Sequence, residues 1–236
     1  MGDGDVPERV ELDAAWPGWA TDADLVIAAD GGARKAGRVG LAPQLVVGDG
    51  DSLGVAGIAE VRAAGVPLEL AAVAKDESDL ELAILAAVAR GASRITILGA
   101  LGGPRFDHAV ANMWLLAHPI LEGRPTLILD SGTRVRLLTA PTTRDAAPAS
   151  GDAAPARPAE AVLVGLPGDL VSLFPFGTGA VGVTTAGLVY PLRDEPLRAG
   201  PARGLSNVRT RPEARVSLRS GRLLIVETHD PKGASR

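Results

Sequence analysis

The chain contains no cysteine, which excludes a disulfide framework, a zinc-thiolate site and a thiol nucleophile. Lysine is scarce too, with three against 21 arginines, so each lysine carries more information than usual. Aromatic residues make up 3% of the chain and include a single tyrosine. No apolar run approaches the ~20 residues that span a bilayer. The N-terminal "MGDGDVPERVELD" is acidic and lacks the apolar core of a signal peptide, so a cytoplasmic location is the expectation. Clustered basic residues are missing as well. With a net charge of -4, the sequence argues against a nucleic-acid or anionic-membrane surface and for small-molecule partners. Neither GxGxxG nor GxxxxGK[ST] occurs at a strand-to-helix turn, which excludes a standard dinucleotide loop and a P-loop.

What is present suits a globular protein: 236 residues, 46% of them hydrophobic, enough for one large domain or two small ones. Up to about residue 135, short β-rich runs alternate with Ala/Leu/Arg-rich stretches of helical period. The runs are "DLVIAAD" (24–30), "QLVVGD" (44–49), "PLELAAVA" (67–74), "RITILGA" (94–100) and "PTLILD" (125–130). In "DLELAILAAVARG", Leu80, Ile84 and Val88 fall on one helical face. The pattern predicts an α/β domain over residues 1–139 with a mainly parallel sheet. Residues 140–161 are Ala/Pro-rich without periodicity and read as a flexible linker. From 162 to 236 the texture becomes closely spaced strands with no helix, predicting an all-β sandwich. "ARVSLRSGRLLIVET" reads as a hairpin with Ser220-Gly221 at its turn.

In the first domain the polar clusters recur at the carboxyl ends of predicted strands, the edge where open α/β sheets bind ligands. Asp30-Gly31-Gly32 follows the first run; it also reads as a tight turn capping the next helix. Gly48 to Ser52 follows the second, with Asp49 and Asp51 two residues apart and so on the same side of an extended backbone. "KDESDLE" carries Lys75, Asp76 and Asp79; its plainer reading is a helix start with Asp76 or Ser78 as N-cap. "GALGGPRFDHAVAN" is a glycine-rich strand-to-helix turn whose N–H groups, at Gly102 and Gly103, can approach phosphates, with Arg105 adding a fork of donors. Asp107 is placed there as an N-cap, while His108 and Asn112 share one helical face; His108 also fits a surface or capping role.

From Asp49 to Glu60 the acids at loop positions one, three and twelve and Gly54 at six imitate a calcium EF-hand. Leu53 at position five cannot ligate, and a strand precedes the loop where an EF-hand needs a helix. A magnesium ion shared with a polyphosphate accounts better for the paired aspartates, since Mg²⁺ favours one or two carboxylates plus phosphate oxygens. Asp30 and Asp79 complete the acidic cup. Such a site suits phosphoryl-type transfer, where catalysis is mostly positioning and charge neutralisation.

Taken in order, "AADGGA" (28–33), "GDGDS" (48–52), "KDESDLE" (75–81), "GALGGPRFDH" (99–108), "SLFP" (172–175), "TTAGLVYPL" (184–192) and "LSN" (205–207) make the chain resemble the thiamine pyrophosphokinases. The resemblance implies an α/β domain joined to a β-sandwich, and a homodimer binding thiamine between the two kinds of domain. The implied reaction moves the pyrophosphoryl group of ATP to thiamine and releases AMP. Also implied are Asp49, Asp51 and Asp79 as Mg²⁺ ligands, and these three together with Asp30, the acidic residue at the first strand end, as the catalytic set. Gly31, Gly32, Ser52, Lys75, Asp76, Gly102, Gly103, Arg105, Asp107, His108 and Asn112 would line the nucleotide site. Thr184, Tyr190, Ser206 and Asn207 would form the thiamine wall, where an electron-rich ring favours the cationic thiazolium; the plainer reading of Tyr190 is strand core. The chain departs from the family pattern at Gly50 (usually Phe), Ser78 (Thr), Val189 (Lys) and the additional Pro104. Its "MGDGDVP" resembles the glycine turn that follows the family's first strand, so that strand is expected to be missing. Two alternatives remain: a pyrophosphokinase on another hydroxymethyl heterocycle such as a pterin, and a non-catalytic nucleotide-binding protein of the same fold.

Overall fold

The computed structural model describes residues 1–141 and 157–229. Much of the expected 140–161 linker therefore lies outside the described residues. The described chain divides into two units, Met1–Gly132 and Thr133–Arg236. In the first unit the elements are α1 (Arg9–Ala15), β1 (Ile27–Ala29), α2 (Gly32–Lys35), β2 (Leu45–Gly48), α3 (Gly54–Ala63), β3 (Leu68–Leu70), α4 (Asp79–Ala89), β4 (Ile95–Leu98), α5 (Phe106–Leu115) and β5 (Thr126–Leu129). The second holds β6 (Thr133–Ala140), β7 (Ala159–Val164), β8 (Leu170–Ala186), β9 (Glu195–Leu197), β10 (Asn207–Val208), β11 (Glu213–Leu218) and β12 (Ser220–Thr228).

All five apolar runs of the first unit form strands, and their pairings are parallel. Alternation along the strands decides which face each residue joins. Ile27, Ala29, Leu45 and Val47 pack on Ala83 and its neighbours in α4, while Ala28 and Val46 pack with Leu53 and the α3 residues Ile58 and Val61. With both faces covered, the strands can be apolar throughout. The expected single parallel sheet is nonetheless divided. Strands β1-β2-β3 form one three-stranded sheet, and β4 pairs with β5 apart from it. Between β1 and β4 runs the extended segment Met1–Gly4, which hydrogen-bonds to both.

Every described pairing within the second unit is antiparallel, and no described residue beyond 161 is helical. The organising element is β8. Its first half pairs with β12, which pairs on its other side with β6; its second half pairs with β11, which pairs with β7. The register against β12 jumps across Gly177–Gly179, where both glycines adopt positive φ, and the partner changes to β11 between Val181 and Thr184. A bulge here bends the strand and curls the sheet over one core of Leu163, Leu173, Val183, Val216, Leu223 and Ile225. The expected hairpin at Ser220-Gly221 does not form. Only Arg219 separates β11 from β12, and the two join different halves of β8 instead of each other. Gly221 sits so close to Gly179 that a Cβ would strike its backbone, which directs the chain across the fold.

Inside this unit Glu227, 2% exposed, receives Arg134 at 2.6 Å, Arg136 at 2.7 Å and Arg209 at 2.9 Å. Burial pushes its carboxyl up, but the hydrogen bond from Arg134 and the charges of Arg136, Arg134 and Arg209 outweigh it and hold the group below its ordinary 4.5. The stabilisation is therefore present above pH 4.5 and is lost as pH falls through the lowered value. Replacing Glu227 by Gln removes the carboxylate that three arginines share, leaving Arg209 with Asp169 at 4.0 Å, and is expected to cost about 3–5 kcal/mol in urea unfolding. By contrast, Glu160→Gln, at the half-exposed Arg215 pair, should cost under about 1 kcal/mol.

Candidate active site

Four acids from three chain segments meet where β1 and β2 end and α4 begins. Asp30 follows β1, Asp49 and Asp51 follow β2, and Asp79 opens α4. One carboxylate oxygen from each lies within 4.8 Å of those of the others. The loop geometry follows from its residues. Gly48 has φ +151°, and a Cβ there would come within 2.8 Å of the Asp30 Cβ, so the close approach of the two strand ends requires glycine. Ser78 caps α4 by accepting from Glu81 N at 3.2 Å, which settles the open choice of N-cap and places Asp79 in the first turn.

Asp30 is the anchor of the cluster. It is 1% exposed with φ +40°, and its two oxygens accept from Ser52 N at 2.8 Å and Leu53 N at 3.3 Å. Burial pushes its carboxyl up, the Ser52 amide opposes this, and Asp51 and Asp79 add to the rise. Asp49 differs: the Asp51 N–H, donated at 3.1 Å, draws its carboxyl down despite burial, and Lys75 assists. Asp51 accepts from Ser52 Oγ at 3.2 Å. The Gly50 between them has φ +81°, a conformation that glycine takes without strain, and its Cβ position is occupied by Ile58.

Lys75, one of the three lysines, bridges Asp49 at 3.2 Å and Asp79 at 2.5 Å. Burial lowers an ammonium, but the hydrogen bonds and charges of Asp79 and Asp49 prevail and hold Lys75 above its usual value. The cluster thus already attracts one cation, and four carboxylates leave charge for another. Hard oxygen donors of this kind fit a divalent ion such as Mg²⁺.

The remaining expected nucleotide-site residues are arranged around the N-terminal segment. Gly31 packs on the Asp3 carboxylate and Gly32 on the backbone of Met1 and Gly2, while Gly102 packs on Asp5. Gly103 N donates to Asp5 Oδ2 at 2.9 Å, so a carboxylate occupies an N–H of the glycine turn that the sequence assigns to anions. Asp3 also pairs with Lys35 at 3.0 Å. These roles of Asp3 and Asp5 are not read from the sequence, because only the pairing of Met1–Gly4 with β1 and β4 brings the segment to the turns. Asn112 donates to Ala100 O at 2.9 Å and steadies the same turn. Arg105 is exposed and grips its neighbour Asp107 at 2.9 and 2.5 Å, holding that carboxyl down to about 2. The expected N-cap at Asp107 is corrected: α5 begins at Phe106, Arg105 takes the cap position without a side-chain cap, and Asp107 lies inside the first turn. His108 and Asp76 are exposed.

In the second unit Tyr190 is 63% exposed, so it is not strand core. Its backbone is pinned on both sides by buried Asn207, which accepts from Tyr190 N at 2.9 Å and donates to Tyr190 O at 2.6 Å. Ser206, at φ +52°, donates its N–H to Ser172 Oγ at 3.0 Å. Thr184 Oγ1 accepts from Asp194 N at 3.0 Å, away from these contacts. Tyr190, Ser206 and Asn207 are thereby brought together, with exposed Val189 and Leu205 beside them in sequence.

Two family models match the chain: "Thiamin pyrophosphokinase, catalytic domain" over residues 18–128, and "Thiamin pyrophosphokinase, vitamin B1 binding domain" over residues 161–223. Comparison with curated protein sequences returns no match. Among solved structures, thiamine pyrophosphokinase from Bacillus subtilis is 22% identical, with a TM-score of 0.74 over 97% of each chain. That from Geobacillus thermodenitrificans is also 22% identical, with a TM-score of 0.73 over 98% of this chain and 96% of its own. Thiamin pyrophosphokinase from Candida albicans is 15% identical, with a TM-score of 0.67 over 89% and 83%.

The Asp30 anchor makes a direct prediction. Asp30→Ala removes the acceptor of two backbone amides and should destabilise the protein by about 1–3 kcal/mol in urea unfolding. Hydrogen exchange should show the Ser52 amide losing protection, and Asp30→Asn, which keeps an acceptor oxygen, should lose less.

Proposed function

The chain belongs to the thiamin pyrophosphokinase family, and from that premise we propose how its own residues carry out the transfer of a pyrophosphoryl group from ATP to thiamine. The thiamine hydroxyl oxygen bonds to the β-phosphorus of ATP, the bond from that phosphorus to the α,β-bridging oxygen breaks, AMP leaves, and the hydroxyl gives up its proton. The observation that carries the assignment of residues is the convergence of Asp30, Asp49, Asp51 and Asp79 within 4.8 Å, with half-buried Lys75 bridging Asp49 and Asp79.

Asp49, Asp51 and Asp79 are the residues that would hold Mg²⁺. When bound, that ion supplies charge neutralisation to the polyphosphate and to the developing charge of the transfer. Asp30 positions the loop bearing Asp49 and Asp51 through Ser52 N and Leu53 N. Lys75 offers an ammonium at the mouth of the cluster for phosphate oxygens, held charged by Asp79 and Asp49. The N–H groups of Gly102 and Gly103 and the exposed fork of Arg105 suit the remaining phosphates, and Gly31, Gly32, Ser52, Asp76, Asp107, His108 and Asn112 complete the nucleotide side. Gly103 N donates to the Asp5 carboxylate here, so a phosphate would take that donor only by displacing Asp5.

For thiamine, the exposed face of Tyr190 offers a stacking surface to a cationic ring, steadied by Asn207, with Ser206 and Thr184 in the same domain. Exposed Tyr190, Val189 and Leu205 in one unit, and Phe106 and Trp114 in the other, support a homodimer, since apolar groups of this size gain by being covered.

Incubation with ATP, Mg²⁺ and thiamine should yield AMP and thiamine diphosphate in equal amounts. AMP formed only with a hydroxymethyl pterin would overturn the substrate assignment. Asp51→Asn should lower turnover by about 10²-fold or more with little change in urea midpoint. Mg²⁺ should raise the thermal midpoint of the parent chain and fail to do so for Asp49→Asn; equal shifts would remove Asp49 from the metal site.

A further inference from the structure

The loop that carries Asp49 and Asp51 is held both by its amides and by its carbonyls. Asp30 accepts from Ser52 N at 2.8 Å and from Leu53 N at 3.3 Å. The carbonyls of the same two residues go to Arg34, whose Nη1 donates to Ser52 O at 3.1 Å and whose Nη2 donates to Leu53 O. Asp30 and Arg34 belong to one tight turn, in which Asp30 O accepts from Ala33 N at 3.0 Å and Gly31 O from Arg34 N at 3.1 Å. The junction of β1 and α2 therefore grips both the donors and the acceptors of Ser52 and Leu53, directly after Asp51.

A glycine inside α3 makes room for this arginine. Gly57 is buried, and a Cβ there would come within 2.6 Å of Arg34 Nη2 and 2.9 Å of Leu53 Cδ2. Its backbone is helical and does not have the positive φ that calls for glycine, and glycine in a helix interior is less favourable than alanine. The missing side chain supplies a notch for the guanidinium beside Leu53 O, which also accepts from Gly57 N at 3.3 Å.

The choice of acceptors bears on the site. Lys75 holds Asp49 and Asp79 by pairing with their carboxylates, and each such pair engages an oxygen of the set that would hold Mg²⁺. Arg34 directs its fork at carbonyls and leaves those oxygens alone. A guanidinium suits this task, because two Nη groups in one plane reach two acceptors together, as an ammonium on a flexible stem does not. A loop fixed in advance also loses less freedom when it binds.

We propose that Arg34, seated in the Gly57 notch, is a positioning residue for the loop of Asp49 and Asp51 and thereby sets how tightly the acids bind a divalent ion. The proposal rests on the reading of Asp49, Asp51 and Asp79 as the Mg²⁺ ligands. Arg34 acts through Ser52 and Leu53, not on the ion itself.

The test uses the full chain with Arg34→Met, which keeps the stem and removes the fork, with Arg34→Lys, with Gly57→Ala, and with Arg34→Met and Gly57→Ala combined. Amide hydrogen exchange at Asp51, Ser52 and Leu53 reads the loop without metal, and titration with Mn²⁺ in place of Mg²⁺ reads the site. Arg34→Met should speed exchange at these amides and weaken Mn²⁺ binding by about tenfold or more, lowering kcat while the KM for thiamine stays unchanged. Arg34→Lys, which keeps the charge without the fork, should resemble it. Gly57→Ala should have the same effects although alanine favours the helix, and should add nothing to Arg34→Met, since no guanidinium then needs the notch. Unchanged exchange in Arg34→Met would overturn the proposal, and so would unchanged Mn²⁺ affinity. A Gly57→Ala effect that persists at full size in the combined variant, as displacement of the Leu53 side chain alone would give, would overturn it too. Faster exchange in Arg34→Met from a parent that binds no Mn²⁺ would count for the clamp on the loop and against the metal assignment.

Discussion

Like charges held close together constrain this protein more than any other feature. Four carboxylates share a space of 4.8 Å, and around them the local structure is arranged to make that tolerable. Glycine at 48 lets the β1 and β2 ends approach, Asp30 spends its oxygens on two backbone amides, and Lys75 places an ammonium between Asp49 and Asp79. The acids respond differently to one setting: burial drives Asp30 up, while a backbone donor draws Asp49 down. One cluster thus contains a carboxylate that anchors a loop and carboxylates that already hold an ammonium, a division set by hydrogen bonding rather than by residue type.

The second unit solves a different problem by similar means. Three arginines on a single buried glutamate carry excess positive charge, and the cluster persists because each guanidinium reaches Glu227 at ordinary hydrogen-bond distance. Strand pairing brings these groups together: β6 sets Arg134 opposite Glu227 on β12, and Arg209 follows β10, which pairs with the same start of β8 that β12 does. On the surface of the same unit, Asn207 holds the Tyr190 backbone from both sides, which leaves the ring exposed and its base rigid. A stacking residue benefits from such support, because ordering it on binding then costs less entropy.

Much of the site was legible because its residues follow apolar runs that end abruptly in Asp and Gly. Asp30, Asp49, Asp51 and Lys75 could each be singled out from that change of texture or from the scarcity of lysine. Helix start signals were less decisive: Ser78 was one of two caps consistent with "KDESDLE", and Asp107 proved to sit within the first turn of α5, with its carboxylate on Arg105. Asp3 and Asp5 gave no signal. Their contacts span about 28 to 98 positions along the chain and exist only because Met1–Gly4 lies between β1 and β4.

The amino-acid sequence by itself determined the strand segments, the all-β character of the C-terminal part and the identity of the acids, because apolar periodicity and charge are local properties of a chain. Tertiary structure alone decided that the parallel strands form two groups with Met1–Gly4 between them. It also decided that β11 and β12 part company, although one residue separates them, and that Tyr190 faces outward. Each of those outcomes depends on which backbone edge is left to hydrogen-bond after the other strands have paired, and that is a property of the assembled sheet, not of any segment within it.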